Sequence, residues 1–103
     1  MKQQSALILV DLQYDFCLGG NLAVPDGDAI VVLANQLQPC FDYVIATQDW
    51  HPKDHKSFAS NHVDASVGDW IDLNGVPQIL WPDHCVQASK GAELHADLKT
   101  DAV

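Results

Sequence analysis

Four side chains of the kinds that bind divalent metal ions occur in two short stretches of the sequence. Asp49, His51 and His55 follow the pattern Asp-x-His-x-x-x-His, and His84 comes later in a separate segment. If the chain is extended at Asp49 and His51, their side chains project to the same side, because extended residues two apart share a face. Pro52 then turns the chain, so that His55 can swing back. Three imidazoles and one carboxylate suit Zn, Fe or Mn and leave coordination positions for water or substrate.

The same stretch excludes a zinc metalloprotease of the His-Glu-x-x-His type. His51 and His55 have the required i, i+4 spacing, but the residues between them are Pro-Lys-Asp and lack the glutamate that acts as the base. For each histidine considered singly, surface polarity or hydrogen bonding in the core is the ordinary alternative. His62 and His95 are given no role.

Carboxylates and thiols supply the remaining candidates for chemistry. Asp11 lies where the first predicted strand ends, and ligands of open α/β sheets bind at the carboxyl ends of strands. We therefore consider Asp11 a candidate catalytic residue, with a solvated or helix-capping carboxylate as the alternative. Cys17, Cys40 and Cys85 need a neighbouring base to act as nucleophiles. We predict that all three are inert, and that Cys40 is buried as a small apolar side chain.

A parallel β-α-β unit is predicted to position these groups. Continuous apolar runs predict strands at Ser5–Leu12, buried on both faces, and at Asp42–Gln48. Glycines and proline predict a loop over Asp15–Asp28. A helix is expected between the N-cap Asp28 and Pro39, with an apolar stripe of Ile30, Leu33, Ala34 and Leu37. A crossover of this length makes the two strands parallel.

The second half of the chain has weaker signals. Asp49–Asp72 shows no sustained period of 2 or 3.6, and its length together with its His and Trp content predicts a functional loop. A short apolar segment covers Ile79–Val86, and Gly91–Val103 is weakly helical at best. Two clear strands make only part of a sheet, so we expect another chain or further residues to cover its open edge.

Composition limits the class of protein. A chain of 103 residues has room for one domain, and 48% hydrophobic against 18% charged residues is typical of a globular sequence. Five Lys and Arg against 14 Asp and Glu give a net charge of −9, which disfavours nucleic acid and anionic membranes as partners. Three cysteines without a Cys-x-x-Cys pair, and no long apolar run, favour a reducing compartment and predict the cytoplasm.

Three groups of segments share their order and spacing with the motifs of a known family. They are Asp11–Cys17 with Gly19–Val24, Ala46–Pro52 with His55–Phe58, and Trp81–Val86 with Gly91–His95. Together they cover nearly the whole chain, which resembles the nicotinamidases among the isochorismatase-like cysteine hydrolases. The resemblance implies an α/β fold with a three-layer parallel sheet, of which residues 1–103 form the amino-terminal portion of a single domain.

The resemblance also implies a reaction, the hydrolysis of nicotinamide to nicotinic acid and ammonia in the salvage of nicotinamide adenine dinucleotide. Asp11 matches the family's catalytic aspartate, which takes the proton of a cysteine thiol and later helps to activate water. Phe16 and Trp81 match aromatic residues that line its ring pocket. One divalent ion, Zn, Fe or Mn, holds the pyridine nitrogen of the substrate. The residues that match its ligands are Asp49, His51, His55 and His84.

The family's cysteine nucleophile and its lysine lie further along than Val103. None of the three cysteines present occupies the nucleophile's position, so we expect these 103 residues alone to be inactive and to need the remaining half of the protein or another copy. Two alternatives stay open. One is a fragment that binds a divalent metal without turnover, and the other is a related, metal-free hydrolase that acts on another small amide.

Overall fold

The computed structural model describes residues 3–103 and confirms the parallel β-α-β unit. Strands β1 (Ala6–Val10) and β2 (Tyr43–Thr47) are parallel neighbours, with Ile8 opposite Ile45. Helix α1 (Ala29–Leu37) lies between them in the chain. Both strands are shorter at each end than the apolar runs that predicted them.

One face of this sheet carries the hydrophobic core. Its buried members come from β1, β2, α1 and two other segments, and they are Leu9, Leu12, Val31, Ala34, Val44 and Leu98. On the opposite face, Ile8, Val10 and Ile45 are each half or more exposed. The expectation that the first strand is buried on both faces is therefore wrong for this chain, because no element within residues 3–103 covers the second face.

Helix α1 buries Ala34 of the predicted stripe and leaves its other three members exposed. Its buried residues are Val31 and Ala34. An open groove of about 290 Å³ beside β1 is lined by the rest of the predicted stripe, Ile30, Leu33 and Leu37. Because the helix is apolar on most sides, its periodicity alone does not select the buried face. In the part of the chain that the structure describes, no helix is long and apolar enough to cross a membrane.

A β-hairpin lies partly within the region predicted as a loop. Strand β3 (Trp70–Leu73) pairs with strand β4 (Val76–Ile79) in antiparallel register, so the loop prediction for Asp49–Asp72 is wrong at its carboxyl end. The turn residues Asn74 and Gly75 have φ values of 53° and 86°, as a two-residue type I′ turn requires. This Asn-Gly pair is the sequence signal for the hairpin, and a search for periodicity misses it.

Isolated bridges rather than strands hold the two histidine-bearing segments side by side. His51 pairs with Val86, and Phe58 pairs with Trp81, both in the parallel sense. Phe58 is fully buried, so this irregular part of the chain has a packed interior. These contacts place the segment that follows β2 against the segment that contains His84.

The buried face of α1 gives a stability prediction with a matched control. Val31 is 2% exposed, and its neighbour Val32 is 62% exposed. We expect Val31→Ala to lower the free energy of unfolding by about 2 kcal/mol, because it removes buried methyl groups and leaves a cavity. Val32→Ala should change it by less than about 0.5 kcal/mol. Urea unfolding of both variants measures the difference, and equal losses would show that α1 packs through another face.

Candidate metal centre and catalytic carboxylate

Asp49, His51 and His84 meet at one point in the structure. One oxygen of the Asp49 carboxylate lies 3.4 Å from Nε2 of His51, and the other lies 3.6 Å from Nε2 of His84. The ligand atoms of all three residues are within 4.8 Å of one another, a spacing that allows them to share one ion. The His84 side chain is 6% exposed and the Asp49 side chain is 30% exposed, so the group opens to solvent on the Asp49 side.

Backbone pairing brings the two halves of this centre together. Asp49 follows the end of β2 by two residues. The backbone N–H of His51 donates to the carbonyl of Cys85 (2.8 Å), and the carbonyl of His51 accepts the N–H of Gln87 (2.8 Å). The backbone of His51 is thus bonded to the residues before and after Val86. This pairing brings His84 close to Asp49.

Asp15 holds His84 in place, a role that the sequence did not reveal because a single carboxylate makes no distinctive pattern. Its buried carboxylate accepts the backbone N–H groups of Cys85 (2.7 Å) and Asn21 (3.1 Å). Cys85 has a φ of 48°, a left-handed conformation that is unfavourable for a residue with a β-carbon. The bond from Asp15 stabilises this conformation beside His84. A β-carbon at Gly91 would collide with the carboxylate.

The hydrogen bonds of the two convergent histidine rings suit them to bind a metal. Nδ1 of His84 lies 2.7 Å from the carbonyl of Pro82, and Nδ1 of His51 lies 3.3 Å from the carbonyl of His84. A carbonyl oxygen only accepts, so each Nδ1 carries the proton and each Nε2 presents a lone pair. Both Nε2 atoms face Asp49. Two imidazoles and one carboxylate fit a divalent ion such as Zn²⁺, Fe²⁺ or Mn²⁺.

His55 lies beside this group without joining it. Its ring centroid is 4.8 Å from that of His51, but the convergent ligand atoms belong to the other three residues. Nδ1 of His55 accepts the backbone N–H of Ser57 (3.1 Å) and contacts the Ser57 hydroxyl (2.7 Å). In a neutral ring Nε2 therefore carries the proton and offers no lone pair. The assignment of His55 as a metal ligand stays a prediction.

Asp11 occupies the carboxyl end of β1 with its side chain held by Thr47. The Thr47 hydroxyl donates to the Asp11 carboxylate (2.8 Å) and accepts the Asp11 backbone N–H (3.1 Å). Asp11 has a φ of 57°, and non-glycine residues in this conformation concentrate at functional sites, where the surrounding structure stabilises them. The carboxylate is thus fixed at the edge where both parallel strands end.

An open cleft of about 270 Å³ adjoins Asp11. Phe16 lines this cleft, and its ring also meets the His84 ring edge-on, with the centroids 5.8 Å apart. Phe16 therefore lies between the cleft beside Asp11 and the candidate metal centre. Trp81 lies outside the cleft, with 36% of its surface exposed and its backbone N–H bonded to the Ser57 carbonyl. The substrate contacts of both aromatic residues stay predictions.

The ligand atoms of a second set, Cys17, Asp28 and His95, also lie within 4.8 Å of one another, but the His95 ring is not arranged to bind a metal. Asp28 is the N-cap residue of α1 as predicted, but its side chain makes no capping hydrogen bond. One of its oxygens accepts the N–H of Leu18 (2.6 Å), and the other lies 3.4 Å from Nε2 of His95. Nδ1 of His95 accepts the N–H of Asp97 (3.1 Å), so Nε2 carries the proton of the neutral ring. That proton faces Asp28, and the ring has no lone pair for a metal.

The buried cysteines are poor nucleophiles. Burial raises the pKa of the Cys85 thiol to about 12, and the nearby Asp15 carboxylate adds to the shift. Burial also raises the pKa of Cys17. Such thiols stay protonated near neutral pH. Cys40 was predicted to be buried and is exposed, because the 3₁₀ helix that contains it follows α1 outside the core.

The chain is similar to nicotinamidases of known sequence and of known structure. No model of a protein family matches the chain. The nicotinamidase of Acinetobacter baylyi is 54% identical over 100 residues, which cover 95% of this chain and 47% of that protein. The solved structure of an Acinetobacter baumanii nicotinamidase and pyrazinamidase has a TM-score of 0.91 at 48% identity, and the match covers 98% of this chain and 49% of that one.

A further solved structure extends the comparison to a metal complex. The pyrazinamidase of Pyrococcus horikoshii in complex with zinc has a TM-score of 0.69 at 39% identity, and the match covers 98% of this chain and 50% of that one. The chain spans about half the length of the curated relatives it matches. Its fold is that part of the isochorismatase-like α/β fold, as the sequence motifs predicted.

The cysteine environments predict selective alkylation. With a pKa of about 12, on the order of 10⁻⁴ of the Cys85 thiol is ionised at pH 8. We expect iodoacetamide to modify the exposed Cys40 in the folded protein, to spare Cys17 and Cys85, and to modify all three in guanidinium chloride. Peptide mass mapping identifies the modified sites. Rapid modification of Cys85 in the folded protein would contradict its burial.

Proposed function

Because the chain has the sequence and fold of the amino-terminal half of a nicotinamidase, we propose that the protein containing it hydrolyses nicotinamide to nicotinic acid and ammonia. The observation that carries the proposal is the convergence of Asp49, His51 and His84 near the cleft of Asp11. A metal centre and a carboxylate for proton transfer are the parts that a metal-assisted amidase needs. A cytoplasmic location and a role in the salvage of nicotinamide adenine dinucleotide belong to the same proposal.

Asp11 is the proposed acid and base. Its carboxylate accepts the proton of a cysteine thiol, the thiolate attacks the amide carbon, and the proton passes to the nitrogen as the C–N bond breaks and ammonia leaves. Water then attacks the thioester and gives a proton to Asp11, the C–S bond breaks to release nicotinic acid, and the thiolate takes the proton back from Asp11. Thr47 supports both steps by holding the carboxylate. Cys17 and Cys85 are buried with raised pKa values, and the exposed Cys40 does not line the cleft of Asp11. We therefore assign the nucleophile to the part of the protein outside these 103 residues.

Asp49, His51 and His84 are the proposed ligands of one divalent ion. His55 would be a further ligand once Nε2 gives up its proton or Nδ1 leaves its Ser57 partners, because only then has the ring a free lone pair. Such an ion, when bound, supplies a Lewis acid that holds the pyridine nitrogen and so orients the ring. The zinc in the Pyrococcus horikoshii relative makes zinc the first candidate, and Fe and Mn accept the same donors.

The substrate pocket and the exposed sheet face need a further part of the protein. Phe16 and Trp81 are the proposed contacts of the pyridine ring, since aromatic side chains pack well against flat rings. The exposed side chains of Ile8, Val10 and Ile45 form an apolar face that a parallel sheet normally buries. We propose that residues 1–103 are the amino-terminal portion of one domain, and that the rest of the protein or another copy covers this face.

Turnover should depend on a bound metal and on its ligands. In the full-length protein, removing the metal with a chelator should abolish ammonia release from nicotinamide, and Zn, Fe or Mn should restore it. We expect His51→Ala to lower kcat/KM by at least about 100-fold, because a ligand is lost. His62→Ala is the matched control, since the His62 ring bonds to the Lys56 carbonyl, and it should retain activity. Full turnover by metal-free protein would contradict the proposal.

The alternative of metal binding without turnover is tested with the 103-residue chain itself. We expect it to take up a divalent ion and to release no ammonia from nicotinamide, because its buried thiols are protonated and Cys40 does not line the cleft of Asp11. Metal analysis after gel filtration and an ammonia assay measure the two properties. Turnover by this chain alone would contradict the assignment of the nucleophile to another part of the protein.

A further inference from the structure

Gln13 is a fully buried polar side chain that the proposed mechanism does not use. Its amide nitrogen donates to the carbonyls of Asp49 and Ala92, at 2.8 Å each. Its amide oxygen accepts the backbone N–H of Asp49, also at 2.8 Å. Both amide protons are therefore used. The side chain pairs with the backbone of Asp49 on both sides, much as a neighbouring strand would.

This pairing occurs just beyond the end of β2, where the backbone is no longer hydrogen-bonded to a neighbouring strand. Strand β2 ends at Thr47, and Asp49 follows two residues later. The position of the Asp49 backbone determines where its carboxylate lies relative to Nε2 of His51 and Nε2 of His84, now 3.4 Å and 3.6 Å away. Mutation of a group that orients a metal ligand in this way commonly weakens metal binding by about 10- to 100-fold.

We propose that Gln13 is a positioning residue of the metal centre, which holds the backbone of Asp49 so that its carboxylate meets the two imidazoles. The inference rests on the proposed metal-dependent function. Gln13 also follows Asp11 by two residues, and its backbone N–H donates to the Asp11 carbonyl (2.8 Å). One short segment therefore carries both the candidate catalytic carboxylate, Asp11, and the proposed positioning residue, Gln13.

Only a primary amide of this length meets all three bonds. A glutamate has the same shape but cannot donate, and its charge would face the carbonyls of Asp49 and Ala92. A methionine fills the same volume but leaves the part-buried N–H and carbonyl of Asp49 without their side-chain partner, which is unfavourable away from bulk water. Gln13→Met and Gln13→Glu are therefore informative substitutions.

The control for these variants is Gln38→Met. Gln38 is also buried, and its amide donates to the Lys99 carbonyl (2.8 Å) next to α1, away from the metal centre. In the metal-free full-length protein, zinc affinity is measured by competition with a chromophoric chelator, and stability by urea unfolding. We expect Gln13→Met and Gln13→Glu to weaken zinc binding by about 10- to 100-fold. Gln38→Met should lower stability while leaving zinc affinity within about 2-fold of wild type.

A second measurement uses the wild-type protein and so does not depend on the folding of a variant. Coupling between two sites is reciprocal. If Gln13 strengthens zinc binding, zinc must strengthen the bonds of Gln13, and the exchange of its side-chain amide protons with solvent should slow when zinc is added. Unchanged amide exchange, or wild-type zinc affinity in folded Gln13→Met, would overturn the inference.

The two proposals fail in different ways. Wild-type full-length protein that binds no zinc and releases no ammonia would overturn the proposed function. Wild-type protein that does both, together with a Gln13→Met variant of equal zinc affinity, would overturn the positioning role alone.

Discussion

The parallel pairing of β1 with β2 is the interaction on which the candidate site depends. Because both strands end at the same edge, Asp11 and Thr47 form a direct side-chain hydrogen bond, and Asp49 follows close behind. A shift of the register by one residue would turn Leu9 or Val44 from the core to the exposed face. Burial of the core therefore sets the register, and the register places the first carboxylates of the site.

The other half of the site is held by hydrogen bonds in irregular chain. His51 and His84 lie outside the named strands, and the buried side chains of Gln13 and Asp15 bind the backbone near them. Within residues 3–103, every buried side-chain nitrogen and oxygen has a hydrogen-bond partner. A buried polar network in which each member is bonded is rigid. This explains how a region with little regular structure can hold three ligand groups together.

The exposed apolar surfaces show the other constraint on this chain. Val10 and Ile45 lie on the bare face of the sheet, and Ile30 and Leu33 line the groove beside β1. A parallel sheet normally has both faces covered, and the relatives that match this chain are about twice as long as the match. The candidate site therefore lies beside exposed apolar surfaces. In the proposed function, the rest of the protein or another copy covers them.

The sequence by itself determined the features that depend on near neighbours. Apolar runs and a proline located β1, α1 and β2, and the two-residue spacing of Asp49 and His51 placed them on one side of an extended chain. The Asn74-Gly75 turn was also readable, although periodicity did not find it. The tertiary structure decided which side of α1 is buried, which histidine nitrogens carry protons, and that Gln13 and Asp15 bond to the backbone of Asp49 and Cys85. The bonds of Gln13 and Asp15 join residues 36 and 70 positions apart, and no local pattern encodes which distant groups will meet.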